Sequence, residues 1–264
     1  VTWIAPLLLA LMLGLTPPAD STPADVTATP AFTTADELLD AVSASDAKIN
    51  TLQTTIRYET VQDLLEDTQV RKGTAILSIS PDRNLKQFRV SFTQFIGSRG
   101  IEEQSRDYIF DGHYLVERLN DEKQFIKREV VRPGQEIDPL AIDGPLPLPI
   151  GQTKAMILKR FTATLLDSEA GEENARLKGY YRIRLTARRA DDDLETVDLW
   201  YSPETLLPGR ALITQRGGDT VQVDLANTTI NDAEVDPALF STESPSLKDG
   251  WRIDIRPLEE RQGP

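Results

Sequence analysis

The chain has 264 residues, no cysteine and a formal net charge of −13. The length suits one large domain or two small ones. The acidic balance argues against a nucleic-acid partner, which needs clustered Lys and Arg, and the missing cysteine excludes disulfides, thiolate catalysis, Cys-ligated zinc and a lipobox.

The first element is the apolar run IAPLLLALMLGL, Ile4 to Leu15. It is shorter than the roughly 20 residues of a spanning helix. A segment rich in Pro, Thr and Ala follows, TPPADSTPADVTATPA. Together they predict a secretory signal peptide over residues 1–24, with cleavage after Thr22-Pro23-Ala24, or at Ala19 or Ala28. Val1-Thr2-Trp3 supplies no basic residue, and an uncleaved anchor is the competing reading. Residues 25–32 read as a flexible lead-in, 33–256 as one folded domain and 257–264 as a tail.

TTADELLDAVSASDAKI opens the domain. Thr34 with Glu37 three positions on forms a capping box. Leu38, Val42 and Ile49, with Leu39 beside them, give a helix one apolar face. Strand patterns follow. LQTTIRYETV and TQVRKGTAILSIS are rich in β-branched residues. In NLKQFRVSFTQFI, Phe88, Val90 and Phe92 point one way and Arg89, Ser91 and Thr93 the other. A strand ends at Phe110, Asp111-Gly112 turns it, His113 to Leu119 returns, and Gln124 to Val131 pairs again.

The prolines of RPGQEIDPLAIDGPLPLPIG predict a long loop over Pro133 to Pro149, either a lid or a plain connection. TKAMILKRFTATLL reads as a second helix with Ile157, Phe161 and Leu165 on one face and Leu158 adjacent. YYRIRLTAR and LETVDLWYS are strands, with Val197, Leu199 and Tyr201 on one side of the latter. PGRALITQR, Gly217-Gly218 and TVQVDLANTTI form a hairpin, DPALF one helical turn, and WRIDI a last short strand. Helix, about six strands, helix, about four or five strands: this is an α+β arrangement with an antiparallel sheet. Its apolar face must be covered, and the two amphipathic helices are the available covers.

Catalytic motifs are missing. His113 is the sole histidine, and no G-x-S-x-G, H-E-x-x-H or P-loop accompanies it. A solvent-exposed strand residue is the reading. One histidine without cysteine also leaves no zinc set. Asp191 to Asp193 lack the spacing of a calcium loop and read as a solvated hairpin tip. No metal and no cofactor is expected.

The order of these elements resembles the LolA family, periplasmic carriers of outer-membrane lipoproteins. The matching pieces are the signal and first helix, INTLQTTIRYETV, the Gly-led KGTAILSI, the Pro and aromatic strand SPDRNLKQFRVSF, the Asp-Gly turn of DYIFDGHYLVE, and DPALFSTESPSLKDGWRIDI. They span Phe32 to Ile255. Where the family pattern carries Arg before the Pro, this chain has Ser80 before Pro81, with Arg83 beyond it. The resemblance implies a strongly curved antiparallel half-barrel of about 10–11 strands, with two or three helices covering its concave apolar face. It implies a non-enzymatic, monomeric periplasmic carrier for the acyl chains of a lipoprotein or lipid. Its partners would be an inner-membrane transporter and an outer-membrane acceptor. An envelope sensor on the same half-barrel is the alternative. The implied cavity joins Phe88, Val90 and Phe92 of the strand to Leu38, Val42, Ile157 and Phe161 of the helices. Seating ten methylenes at about 0.8 kcal/mol each would contribute on the order of 8 kcal/mol before entropic costs.

Overall fold

A computed structural model describes residues 32–80, 85–131, 150–167, 175–232 and 234–258. The expected signal segment, the Pro133 to Pro149 loop, Pro81, Arg83 and residues 259–264 of the expected tail lie outside the described residues.

Two α-helices and twelve strands occur among the described residues. Helix α1 is Ala35–Asp46 and α2 is Lys154–Arg160. The strands before α2 are β1 (Thr51–Gln62), β2 (Asp67–Ser80), β3 (Leu85–Gly97), β4 (Gly100–Phe110), β5 (Tyr114–Leu119) and β6 (Gln124–Glu129). After α2 come β7 (Phe161–Leu166), β8 (Tyr181–Ala187), β9 (Leu194–Tyr201), β10 (Pro208–Gln215), β11 (Thr220–Ile230) and β12 (Arg252–Arg256). All join one curved, unclosed sheet in the order β12-β6-β5-β4-β3-β2-β1-β11-β10-β9-β8-β7. The fold is the expected α+β half-barrel. Two antiparallel meanders, β1 to β6 and β7 to β11, meet at a central β1–β11 seam running from Leu52 opposite Ile230 to Val61 opposite Thr220.

Local chemistry explains the best-defined pieces. Thr34 closes the capping box, its hydroxyl accepting from the Glu37 N–H while the Glu37 carboxylate accepts from the Thr34 N–H at 3.1 Å. Helix α1 ends at Asp46, so Ile49 reaches the core from the following turn. At the β4–β5 turn, Asp111 Oδ1 accepts from the N–H groups of His113 and Tyr114, and Gly112 takes φ 103°. Gly73 sits where the β2–β3 register slips. A Cβ there would come within 1.9 Å of the Ser91 carbonyl oxygen. The two backbones can approach and bulge only because no side chain intervenes.

Four expectations about the fold are corrected. The second helix is only seven residues long, and its expected continuation is strand β7, so Phe161 and Leu165 are strand residues. FTATLL alternates with exposed Thr162 and Thr164, and its backbone pairs with β8 from Phe161–Ala187 to Leu166–Arg182. Period two, with β-branched residues and an edge to complete, wins over the helical spacing of 157, 161 and 165. This raises the strand count above 10–11. The last strand, β12, pairs parallel to β6, so the sheet is not antiparallel throughout. Asp192 is not a solvated tip residue: its side chain is largely buried and takes a bidentate ion pair from Arg160, the last residue of α2, at 2.7 Å for both bonds.

Candidate functional site

Strand alternation divides the sheet into two chemically distinct faces. On the helix-covered face, Leu52 and Ile56 of β1, Ala75 and Leu77 of β2, Phe88, Val90 and Phe92 of β3, and Phe110 and Leu115 beyond them join one buried cluster with α1. On the opposite face, carboxylates sit among arginines of neighbouring strands. Asp107 accepts from Arg89, Ser91 and Asn120. Asp198 accepts from Arg182 and Arg184. Asp224 accepts from Arg176 and Arg210.

All seven residues assigned from sequence to the covered face meet in that single cluster, and none is more than 4% exposed. Leu38 and Val42 lie on α1, Ile157 on α2, Phe161 on β7, and Phe88, Val90 and Phe92 on β3. Phe161 thus reaches the cluster from the sheet rather than from a helix. The helices and strands are in direct apolar contact.

What holds the cover is polar and lies at its rim. Lys154 of α2 pairs with Asp36 and Asp40 of α1 at 2.7 and 2.8 Å. Both aspartates are about two-thirds exposed, at 67% and 65%, so solvent screens these pairs. The Lys154 N–H donates to Ser43 Oγ at 3.1 Å. Asp46, at the end of α1, accepts the Gly151 N–H at 2.9 Å. The Lys86 ammonium, at the start of β3, donates to the Ile150 carbonyl at 3.2 Å. Burial is the main influence on Asp46 and outweighs the Gly151 hydrogen bond and the Lys86 charge, pushing its carboxyl up to about 6. Tyr201, wholly buried nearby, is pushed up by burial and then by Asp46.

The same face changes character along the strands. Past Phe92 stand Tyr58 and Tyr108, with ring centroids 6.1 and 6.2 Å from the Phe92 ring. Past Gly73 in β2 comes Arg71, opposite Tyr58 on one side and Phe95 on the other. Arg106 lies opposite Phe92, and Glu117 opposite Tyr108. The Tyr108 hydroxyl donates to Glu117 at 3.1 Å. Burial, then the neighbouring Tyr108, push the Tyr58 phenol up to about 12. These polar residues were missed from sequence. Their signal is phase: Arg71 falls in step with Ala75, Leu77 and Ile79, and Arg106 in step with Tyr108 and Phe110. A charge in the apolar phase of a strand marks a place where the covered face stops being core.

His113 takes no part in this face. It sits half-buried in the turn before β5, its Nε2 3.2 Å from Glu129 Oε1, rather than exposed on a strand. Among the described residues, no cluster of three or more potential metal ligands occurs.

No protein-family model matches the sequence, and no curated protein does. Solved structures do. An uncharacterized conserved protein from Thermus thermophilus is similar at 12% identity, covering 84% of this chain and 99% of that one, with a TM-score of 0.47. The MucA/MucB complex of Pseudomonas aeruginosa contains a chain similar at 12% identity, over 78% of this chain and 60% of that one, with a TM-score of 0.43. A LolA superfamily protein from Nitrosomonas europaea is similar at 13% identity, over 80% and 98%, with a TM-score of 0.36.

Proposed function

We propose that this chain is a periplasmic, non-enzymatic carrier that takes up the acyl chains of a lipoprotein or lipid between its helices and the concave face of its sheet. One observation carries the reading: an apolar sheet face drawn from β1 to β5 and β7 to β11 is closed by two short helices, and the ties between those helices are screened ion pairs and hydrogen bonds at the rim. Exposed ion pairs are worth at most about 1 kcal/mol each. Lifting such a cover costs little beyond the apolar contacts it makes, and an alkyl chain sliding beneath it replaces those contacts in kind. Residues Phe88, Val90, Phe92, Leu38, Val42, Ile157 and Phe161 would then line the occupied cavity. Loading would occur from an inner-membrane donor and release to an outer-membrane acceptor.

The test is direct. Protein purified from the cell envelope is extracted and analysed by mass spectrometry, and the delipidated protein is titrated with a fluorescent fatty-acyl probe. Acyl lipid in the extract and saturable probe binding are expected. Val90→Asp, checked for folding by circular dichroism, should weaken probe binding, because a charge in that cluster has no partner. Thr74→Asp, on the exposed opposite face of β2, should not. A wild-type protein that carries no acyl lipid and binds no probe overturns the proposal.

A further inference from the structure

The polar end of the covered face is built unlike an ordinary strand surface. Two arginines, Arg71 on β2 and Arg106 on β4, lie there beside one interior carboxylate, Glu117 on β5, which Arg128 of β6 approaches from the level of Leu115. Glu117 is partly spoken for. One oxygen accepts from Tyr108 at 3.1 Å and lies 3.8 Å from Arg106 Nε, and the other lies 3.9 Å from Arg128. Among the described residues no carboxylate lies within ion-pair distance of Arg71. Its guanidinium is placed instead by a 3.3 Å hydrogen bond to Gln69 and by stacking 5.1 Å from the centre of the Phe95 ring. The Nε atoms of Arg71 and Arg106 are both buried, and neither makes a hydrogen bond to the described residues.

That arrangement is costly as it stands. A buried guanidinium needs acceptors for its five donors, and two facing cations repel. Burial, and after it the charge of Arg106, hold Arg71 below its ordinary range. An oxyanion would relieve both costs, because it accepts from both guanidinium groups in the planar geometry they favour. The location gives the anion a context. Arg106 stands opposite Phe92 and Arg71 opposite Tyr58, so the Tyr58–Phe92–Tyr108 aromatic row joins the arginines to the apolar cluster. A molecule lying along the face would meet, in order, alkyl surface, aromatic rings and two cations. Asp67 and Glu102 lie farther out, on the rim of a cleft of about 170 Å³ that also includes Gln69 and Phe95.

We propose that Arg71 and Arg106 form the recognition site for the anionic head of an amphiphile, a carboxylate or phosphate oxyanion, whose alkyl part lies against Phe92 under the helices. This rests on the acyl-carrier reading and adds to it the chemical class of the ligand. Glu117 acts as the positioning residue: it holds Tyr108 and draws the Arg106 side chain toward the site.

Three probes with the same alkyl chain test it on the full chain: a fluorescent fatty acid, its methyl ester, and the corresponding lysophosphatidic acid. The wild type should bind an anionic probe about 10-fold or more tighter than the ester, since charge-assisted hydrogen bonds exceed neutral ones by that order. The preference should shrink at high salt. Whether carboxylate or phosphate is preferred distinguishes a fatty acid from a phospholipid head. In Arg71→Gln/Arg106→Gln the anionic probes should fall to the affinity of the ester, while ester binding is unchanged. Arg71→Lys/Arg106→Lys, which keeps the charges, should retain part of the preference and serves if the glutamine variant does not fold. Wild-type protein that binds all three probes alike overturns the head-group site and leaves the acyl reading intact. A preference that survives in the glutamine variant overturns the assignment to these arginines. Wild-type protein that binds none of the probes overturns both.

Discussion

Two carboxylates lie buried on opposite sides of this sheet, and they are driven in opposite directions. Asp198, 2% exposed, stands among Arg182 and Arg184; burial alone would raise it, but the hydrogen bonds from Arg184 and Arg182 prevail and hold it below the ordinary carboxylate range. Asp46, 9% exposed, faces the apolar cluster beneath the helices, and burial pushes it up to about 6. The difference is one of partners. The opposite face gives each of its desolvated carboxylates at least one arginine and further donors. The covered face leaves a carboxyl with one backbone donor and a distant lysine, and leaves two arginines short of acceptors at its far end. One side is finished as structure, and the other is kept adjustable.

The largest expected effect comes from breaking the finished side. Asp198→Ala should cost about 3–5 kcal/mol at pH 7, because it strands the largely buried Arg182 guanidinium, while Arg184 is exposed enough to turn to water. Urea unfolding measures it. Asp198 has a lowered folded-state pKa, so its contribution is present above about pH 4, the range of an unfolded carboxylate, and is lost as pH falls through the lower folded value. The loss in the alanine variant should therefore be smaller at pH 3 than at pH 7. A loss that does not change with pH would mean that packing, not charge, is what Asp198 supplies.

Its neighbour Leu199 points the other way, into the apolar cluster. Leu199→Ala should cost about 2–5 kcal/mol through transfer and cavity terms, with no dependence on pH between 3 and 7. Matching pH profiles for these adjacent variants would erase the distinction between the faces.

Asp46→Asn should be stabilising. The folded-state carboxyl titrates near 6 and the unfolded one near 4, so the folded protein holds the proton more tightly between those values. Wild-type stability therefore falls as pH rises through that window. Asparagine keeps an oxygen for the Gly151 N–H and carries no charge, so the variant should gain about 1–3 kcal/mol above pH 6 and nothing near pH 4. A variant destabilised at pH 7.5 would show that the ionised Asp46–Lys86 interaction outweighs burial. The smallest effect is expected at the capping box. Thr34→Ala should lower stability by about 1 kcal/mol through α1, read by thermal unfolding. A larger loss would show the cover to be more deeply coupled to the sheet than its rim contacts indicate.

Much of this was legible in the sequence because period and chemistry agreed. The capping box at Thr34, the alternation of Phe88, Val90 and Phe92, and the Asp111-Gly112 turn each specify one conformation locally. The second helix failed at Phe161 because apolar positions at 157, 161 and 165 fit a helix, while the intervening threonines fit an edge strand, and only the open edge of β8 decides between them. The parallel docking of β12 on β6 was not legible, since a five-residue strand carries no mark of its partner. Asp192 was misread because its partner, Arg160, is distant in the chain. Arg71 and Arg106 were readable in phase but could be interpreted only once Phe92, Tyr58 and Tyr108 were known to adjoin them.

The seam at the middle of the sheet has a consequence for the order of assembly. Thr54 of β1 donates to the carbonyl of Ala226 in β11, a contact between residues 172 positions apart. Every other antiparallel pairing in the two meanders joins strands adjacent in sequence. Loop-closure entropy opposes the long-range contact until both halves are ordered, so the meanders are expected to zip first and the seam to close as a late docking event. During that interval β1 and β11 each present an unpaired edge, open to self-association. Pulse-labelled hydrogen exchange during refolding should protect the amides of β3 to β5 before those shared by β1 and β11. Simultaneous protection would instead make the central seam the nucleus on which both halves form.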